Sequence, residues 1–107
     1  MRKSRADGFF ETGMKLYENE DYNEAIKFFE RAISLEPNYY EALYNLACCY
    51  AMTKNITKAV MALRKACNLS PECAAWAKDD MEFDSMRDDP EFLNVVENTE
   101  LKSIVAE

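Results

Sequence analysis

The sequence predicts an all-α protein of stacked helix pairs, an α-solenoid with a C-terminal capping helix, and two observations support this. Residues 24–37 (EAIKFFERAISLEP) return as residues 58–71 (KAVMALRKACNLSP), with alanines, bulky apolar residues and a closing proline at a constant offset of 34 residues. A period of this length is typical of helical repeats. Only 2 glycines and 3 prolines in 107 residues leave too few turn residues for a sandwich or a barrel.

Helical periodicity places two helix pairs in the first two thirds of the chain. They are expected at about residues 6–18, 22–35, 39–52 and 56–70. Asp21 with Glu24, and Asn38 with Glu41, have the spacing of a capping box, in which side chains satisfy free amides at a helix start. Asn55 is expected to cap the fourth helix. Small residues are expected where the paired helices cross closely, at Gly13, Ala25, Ala32, Ala47, Ala59 and Ala66.

The repeat pattern weakens after Cys73. A short helical stretch from residue 74 to 78, anchored by Trp76, is followed by an acidic interruption at residues 79–84. Asp89 before Pro90 predicts a capped start for a last helix at about residues 90–105, because proline is tolerated in the first turn. The inner face of that helix is expected to contain Phe92, Leu93, Val96, Leu101 and Ile104.

The net charge of -7 is concentrated at the C-terminal end. Residues 74–107 hold 10 acidic and 3 basic side chains, whereas residues 40–73 hold 2 acidic and 4 basic ones. Stacked repeats need a terminal unit with a polar outer face, and the acidic third fits that role. No stripe of Lys and Arg offers a nucleic-acid surface. No apolar window reaches the length of a membrane span, so a soluble protein without membrane insertion is expected.

The composition offers no basis for catalysis. The chain has no histidine, no glycine-rich phosphate loop and no base beside a nucleophile, so an enzyme is not expected. Cys48 and Cys49 are adjacent on one helix and cannot both face one ion, so neither a metal site nor a cofactor is predicted. The spacing of the four cysteines does not fit a disulfide framework. Reduced cysteines without a signal sequence predict an intracellular, cytoplasmic protein, with a processed organellar protein as the alternative.

The 34-residue pattern resembles the tetratricopeptide repeat. Residues 6–39 match that family's pattern at Phe9, Gly13, Ala25, Phe29, Ala32 and Pro37, with Thr12 and Leu16 as departures. Residues 40–73 match it at Leu43, Leu46, Ala47, Tyr50, Ala59, Leu63, Ala66 and Pro71. Residues 74–107 are similar to the divergent end segment of some members. The resemblance implies one domain of two full repeats and a divergent third repeat or cap, coiled as a right-handed superhelix.

The resemblance also implies a non-catalytic module that binds other proteins. In such proteins the first helix of each pair lines a concave wall that holds a peptide or helix of a partner. The corresponding partner groove here contains Phe10, Met14, Tyr17, Tyr44, Asn45, Cys48 and Met52. This apolar and aromatic wall with an acidic fringe suits an adaptor or assembly factor whose partner carries apolar anchors and basic side chains. The alternative is that the last helix of the chain covers the wall.

One family subtype is disfavoured by the residues themselves. Members that clamp the C-terminal carboxylates of heat-shock chaperones use Lys, Asn and Arg as donors on these helices. The corresponding positions here hold Phe10, Met14, Asn45, Ala75 and Asp79, and only Asn45 is a suitable donor. A chaperone tail is therefore not the expected partner.

The acidic interruption allows two interpretations. Asp79, Asp80, Glu82 and Asp84 form either a docking patch for a basic partner or a solvated cap. Two full repeats are fewer than the three usually needed for an independent solenoid, so a structural or self-associating subunit, such as a homodimer, is the second functional hypothesis. A third is that the chain is a fragment of a longer protein whose catalytic part lies elsewhere.

Overall fold

The computed structural model describes residues 3–106, with side chains described up to Leu101. Within that range the chain forms only helices, and consecutive helices pack as antiparallel pairs. They are α1 (Arg5–Glu18), α2 (Tyr22–Leu35), α3 (Tyr40–Met52), α4 (Ile56–Leu69), α5 (Glu72–Asp79), a 3₁₀ helix (Met81–Met86) and α6 (Pro90–Ala106). The all-α helical-repeat prediction is confirmed. None of the helices in this range combines the length and the apolar character that crossing a membrane requires.

The packing order follows the repeat. The closest partners are α1 with α2 and α3 with α4, while α2 also packs on α3 and so joins the two pairs. The last helix, α6, packs on α4 and α5, and the 3₁₀ helix packs on α3. The C-terminal third therefore contacts the second repeat in two places, at its end through α6 and across α3 through the 3₁₀ helix.

The predicted helix caps are correct at some helix starts and wrong at others. Asn55 accepts a hydrogen bond from the Lys58 amide at 3.3 Å, and Asp89 accepts from the amides of residues 91 and 92 at 2.9 and 3.2 Å, as expected. The predicted capping box at Asp21 is wrong, since its side chain makes no cap bond. The box predicted at Asn38 is also wrong, because α3 begins one residue later than expected, after Tyr39.

Backbone hydrogen bonds explain the missing cap at Asp21. The Asp21 amide donates to the Leu16 carbonyl at 2.8 Å and the Glu20 amide to the Tyr17 carbonyl at 2.9 Å. This pair of bonds is the Schellman arrangement, which ends one helix and leads directly into the next. This arrangement needs one residue in the left-handed backbone conformation, and Glu20 adopts that conformation with a φ of 62°. The same turn recurs after α3, where Lys54 has a φ of 65°.

The small residues lie where the helices cross, as predicted. Ala25, Ala32, Ala47, Ala59 and Ala66 have no exposed surface. A Cβ atom on Gly13 would lie 2.7 Å from the ring of Phe29, which is itself fully buried. Only glycine lets α1 approach α2 this closely without moving the ring.

The inner face of α6 was predicted only in part. Phe92 and Val96 are buried as expected, but Leu93 is 40% and Leu101 is 58% exposed, so their assignment to the inner face is wrong. Val95 and Thr99 are buried in their place, because α6 turns the stripe 92, 95, 96 and 99 towards α4 and α5. The side chain of Ile104 lies outside the described residues.

Candidate protein-interaction surface

We call the faces of α1 and α3 that carry the predicted groove residues the inner wall. The 3₁₀ helix covers the middle of this wall. Tyr44 and Cys48, both predicted to line the partner groove, are 6% and 1% exposed. The ring of Phe83, from the 3₁₀ helix, packs edge-on to Tyr44 with 5.9 Å between ring centres. Trp76 of α5 contacts the same tyrosine at 5.3 Å. A segment of the chain therefore covers this part of the wall, and it is the 3₁₀ helix and not the last helix.

Two tyrosine hydroxyls attach this segment to the wall. Tyr17 of α1 donates a hydrogen bond to the Glu82 carboxylate, and Tyr44 of α3 donates to Asp80. Burial raises the pKa of both phenols well above 10.0, and the accepting carboxylates raise it further. Both hydroxyls are therefore protonated at neutral pH and able to donate.

Arg87 holds the turn that carries the segment. Its guanidinium donates to the carbonyl oxygens of Lys78 and Asp80, each at 2.6 Å, and to that of Ala77 at 3.3 Å. It also donates to the Asp84 carboxylate at 2.8 Å. Three carbonyls at the end of α5 are thereby satisfied by one planar side chain. This role depends on how the chain turns after α5, which helical periodicity alone does not show.

The predicted acidic residues have different surroundings. Asp80 and Glu82 accept from the two tyrosines, and Asp84 accepts from Arg87. Asp79 is exposed, and no hydrogen bond to its side chain is found among the described residues. One of the four carboxylates thus stabilises the C-terminal third internally and two attach it to the repeats, while docking of a basic partner on this patch stays a prediction.

An open depression lies beside the covered part of the wall. It has a volume of about 350 Å³ and is lined by Tyr17, Glu18, Glu20, Tyr22, Met52, Met81 and Glu82. Met81 is 77% and Met52 is 39% exposed, so two thioether side chains stand at its mouth. The rings of Tyr17 and Tyr22 meet nearly at right angles, 5.5 Å apart. We call this the inner depression.

The inner depression brings together Tyr17 and Met52 from the predicted groove. It adds Tyr22, Met81 and Glu20, which sequence reasoning missed, because these become neighbours only when α1, α2 and the 3₁₀ helix meet. The remaining predicted residues, Phe10, Met14 and Asn45, are half-buried further along the wall. Phe10 stacks on Tyr39 with 5.1 Å between ring centres.

The comparisons with known proteins agree with this architecture. The chain is 33% identical over 67 residues to the human protein O-mannosyl-transferase TMTC3, a match that covers 63% of this chain and 7% of that much longer relative. The tetratricopeptide repeat model matches residues 16–78, which is more than half of the chain. Repeats of this kind generally mediate protein–protein interaction and are generally non-catalytic. The chain therefore belongs to the tetratricopeptide repeat family.

Proposed function

We propose that the protein is a non-catalytic adaptor or assembly factor that holds a segment of another protein at the inner wall. The observation that carries this proposal is the inner depression, where exposed methionines and tyrosine rings lie beside the three carboxylates of Glu18, Glu20 and Glu82. Among the residues that the structure describes, no Lys or Arg lines it. A basic side chain of a partner would supply the missing positive charge.

The chemistry of the depression favours one kind of segment. The hydrocarbon stem of a Lys or Arg can lie along Met52 and Met81 while its charged end reaches the carboxylates. Methionine side chains adapt their shape to an apolar neighbour, so an adjacent apolar anchor also fits. Along α1, Phe10, Met14 and Tyr17 follow at helical spacing on one face and would extend the contact. The segment is therefore expected to be basic and to contain apolar residues.

The absence of a reactive thiol supports the non-catalytic part of the proposal. All four cysteines are buried and free. Burial raises the pKa of Cys49 and of Cys73 to about 12, and that of Cys48 and Cys67 above the ordinary value of 9.0. These thiols stay protonated and are poor nucleophiles. Four free thiols also fit a reducing compartment, and we infer a cytoplasmic location from them.

Charge and methionine variants test the inner depression. A fluorescent peptide with alternating leucines and lysines is expected to bind, and Glu18→Lys with Glu20→Lys should weaken binding about tenfold or more through like-charge repulsion. Met52→Ser with Met81→Ser should weaken it by removing the apolar contact. Both exchanges leave the hydroxyl bonds of Tyr17 and Tyr44 in place, whereas alanine at either tyrosine would also loosen the 3₁₀ helix.

The controls are Leu69→Ser on α4 and Glu97→Lys on α6, both exposed and outside the lining of the inner depression. Binding is read by fluorescence anisotropy, and the methionine methyl resonances report where the peptide lies. Equal binding by the double variants and by the controls would contradict the assignment of the inner depression.

A structural or self-associating subunit is the second candidate. It is favoured by the exposure of Leu93 and Leu101, which lie eight residues apart on α6 and share one outer edge. Light scattering across a concentration range distinguishes the two. A dimer that Leu93→Glu converts to a monomer would support self-association through α6, and a monomer at all concentrations would count against it.

A further inference from the structure

A second groove lies between α2 and α4, on the other side of α3 from the inner wall. Its volume is about 410 Å³. Its floor is formed by Ile33 of α2 and by Leu43, Leu46 and Tyr50 of α3. Helical periodicity puts these three α3 residues on the face opposite Tyr44 and Cys48. We call this the outer groove, and it is separate from the inner depression.

The outer groove is apolar but not closed. Met61, on its α4 rim, is 51% exposed, and Ile33 and Tyr50 are half-buried. Leu43 and Leu46 below them are only 4% and 7% exposed. An apolar ligand would therefore contact a continuous floor, and Met61 could adapt its shape to it.

The α4 rim of the outer groove is basic. Lys58, Met61 and Lys65 follow at i, i+3 and i+7 and so lie along one edge of the helix. Neither lysine has a carboxylate within salt-bridge distance among the described residues, whereas Arg64, between them in sequence, pairs with Glu91 at 3.1 Å. The Lys58 ammonium lies 5.7 Å from the centre of the Tyr50 ring. The facing α2 rim contributes one carboxylate, Glu30.

This basic rim stands out in an acidic chain. The net charge of the protein is -7, yet no Asp or Glu occurs from residue 42 to residue 71. The two lysines are two helical turns apart, about 10 Å along α4. A ligand that matches them must present two negative charges at that separation, together with an apolar surface for the floor.

We infer that the outer groove is a docking site for an amphipathic helix of a partner protein, with an apolar face bordered on one edge by Asp or Glu seven residues apart. Such a helix places its apolar side chains on Leu46, Tyr50 and Met61 and its carboxylates beside Lys58 and Lys65. This ligand is opposite in charge to the one proposed for the inner depression, and the two sites lie on different faces. The protein would thereby join two partners.

The test uses two helix-constrained fluorescent peptides that differ only in charge. Each carries leucines along one face, and one has Glu seven residues apart beside that face where the other has Lys. The Glu peptide is expected to saturate the 107-residue protein and to shift the Met61 methyl resonance. Lys58→Glu with Lys65→Glu should weaken its binding about tenfold or more, because like charges then face each other. Raised salt should weaken binding by the wild-type protein.

The matched control is Lys15→Glu with Lys78→Glu, which makes the same change in net charge at exposed positions on α1 and α5, two helices that do not line the outer groove. This control should change affinity by about twofold or less, because the altered charges do not line the groove and salt screens their effect on the peptide. Met61→Ser supplies a second variant that leaves the charges intact and should also weaken binding. Circular dichroism verifies that each variant keeps its helical content.

Four results with the peptides would overturn the inference. They are no saturable binding of the Glu peptide, equal binding of the Lys peptide, an equal loss in the control variant, and shifts at Met52 and Met81 in place of Met61. A concentration-dependent rise in mass of the protein alone that the Lys58→Glu with Lys65→Glu variant abolishes would also overturn it, since the ligand would then be a second copy. The proposal for the inner depression is tested separately, by binding of the leucine–lysine peptide and by the Met52 and Met81 methyl resonances.

Discussion

At the scale of single residues, two positions combine an unusual backbone with an ordinary side chain. Glu20 and Lys54 adopt the left-handed conformation at equivalent turns of the two repeats, with φ values of 62° and 65°. Glycine is the usual residue there because it has no Cβ to crowd the following carbonyl. The turn is stabilised by its backbone bonds in spite of this strain, since the Asn55 amide reaches the Tyr50 carbonyl at 2.8 Å.

Lys54→Gly is therefore expected to stabilise the protein. Removing the left-handed strain gains about 1 to 2 kcal/mol, and the greater freedom of glycine in the unfolded chain offsets part of that, leaving about 0.5 to 1 kcal/mol. Urea unfolding followed by circular dichroism measures the difference. Lys65→Gly, at a helical position in α4, is the control and should lose about 1 kcal/mol. A loss of stability on Lys54→Gly would contradict the role given to the turn.

At the scale of elements, the crossing of α1 and α2 depends on one missing Cβ atom. Phe29 is fully buried, and its ring lies where a side chain at residue 13 would be. Its ring also contacts Phe10, with 5.8 Å between ring centres. Because Phe10 in turn stacks on Tyr39, a shift of the Phe29 ring would reach the start of α3.

Gly13→Ala should destabilise the protein. The added methyl group forces the Phe29 ring or the whole of α1 to move, which costs about 1 to 3 kcal/mol and exceeds the helix-propensity gain of about 1 kcal/mol. Gly8→Ala provides the matched control, because nothing lies within 4 Å of a Cβ atom there. That control should gain about 0.5 to 1 kcal/mol. If both variants were equally stable in urea, the close crossing would not limit packing.

At the scale of the whole molecule, the buried core contains groups that must keep their protons. Cys49 and Cys73 have no exposed surface, and burial raises the pKa of each to about 12. Tyr17 and Tyr44 also have raised pKa values and join the repeats to the 3₁₀ helix. Protonated thiols thus contribute to the core, and protonated phenols contribute to the attachment of the C-terminal third.

Stability is expected to fall in alkaline solution. The unfolded chain releases thiol protons near the ordinary pKa of 9.0, while the folded chain retains them until about 12. The stabilisation is therefore fully present below about pH 9 and is lost progressively as pH rises above it. Urea midpoints measured from about pH 7 to pH 11 should be flat at first and then decline. The Cys73→Ala variant should decline less steeply, and a midpoint that rises with pH would contradict the assignment.

The repeat, the two helix pairs and the family were predictable from the sequence alone. Helix period, small residues at fixed offsets and closing prolines are local properties that persist whatever the tertiary contacts, and the bounds of α2 agree with the prediction. Asn55 and Asp89 were predictable caps for the same reason, since a cap bond spans only a few residues.

What covers each face was not predictable, because it depends on tertiary contacts. Tyr44 and Met52 are both α3 residues that were predicted to line the partner groove. Tyr44 is nevertheless buried under the 3₁₀ helix, whereas Met52 opens onto the inner depression. Likewise Leu93 and Val95 of α6 are both apolar, and packing on α4 and α5 buried only the second. Sequence periodicity shows which residues share a face, but coverage depends on the path of a distant segment, here the turn held by Arg87.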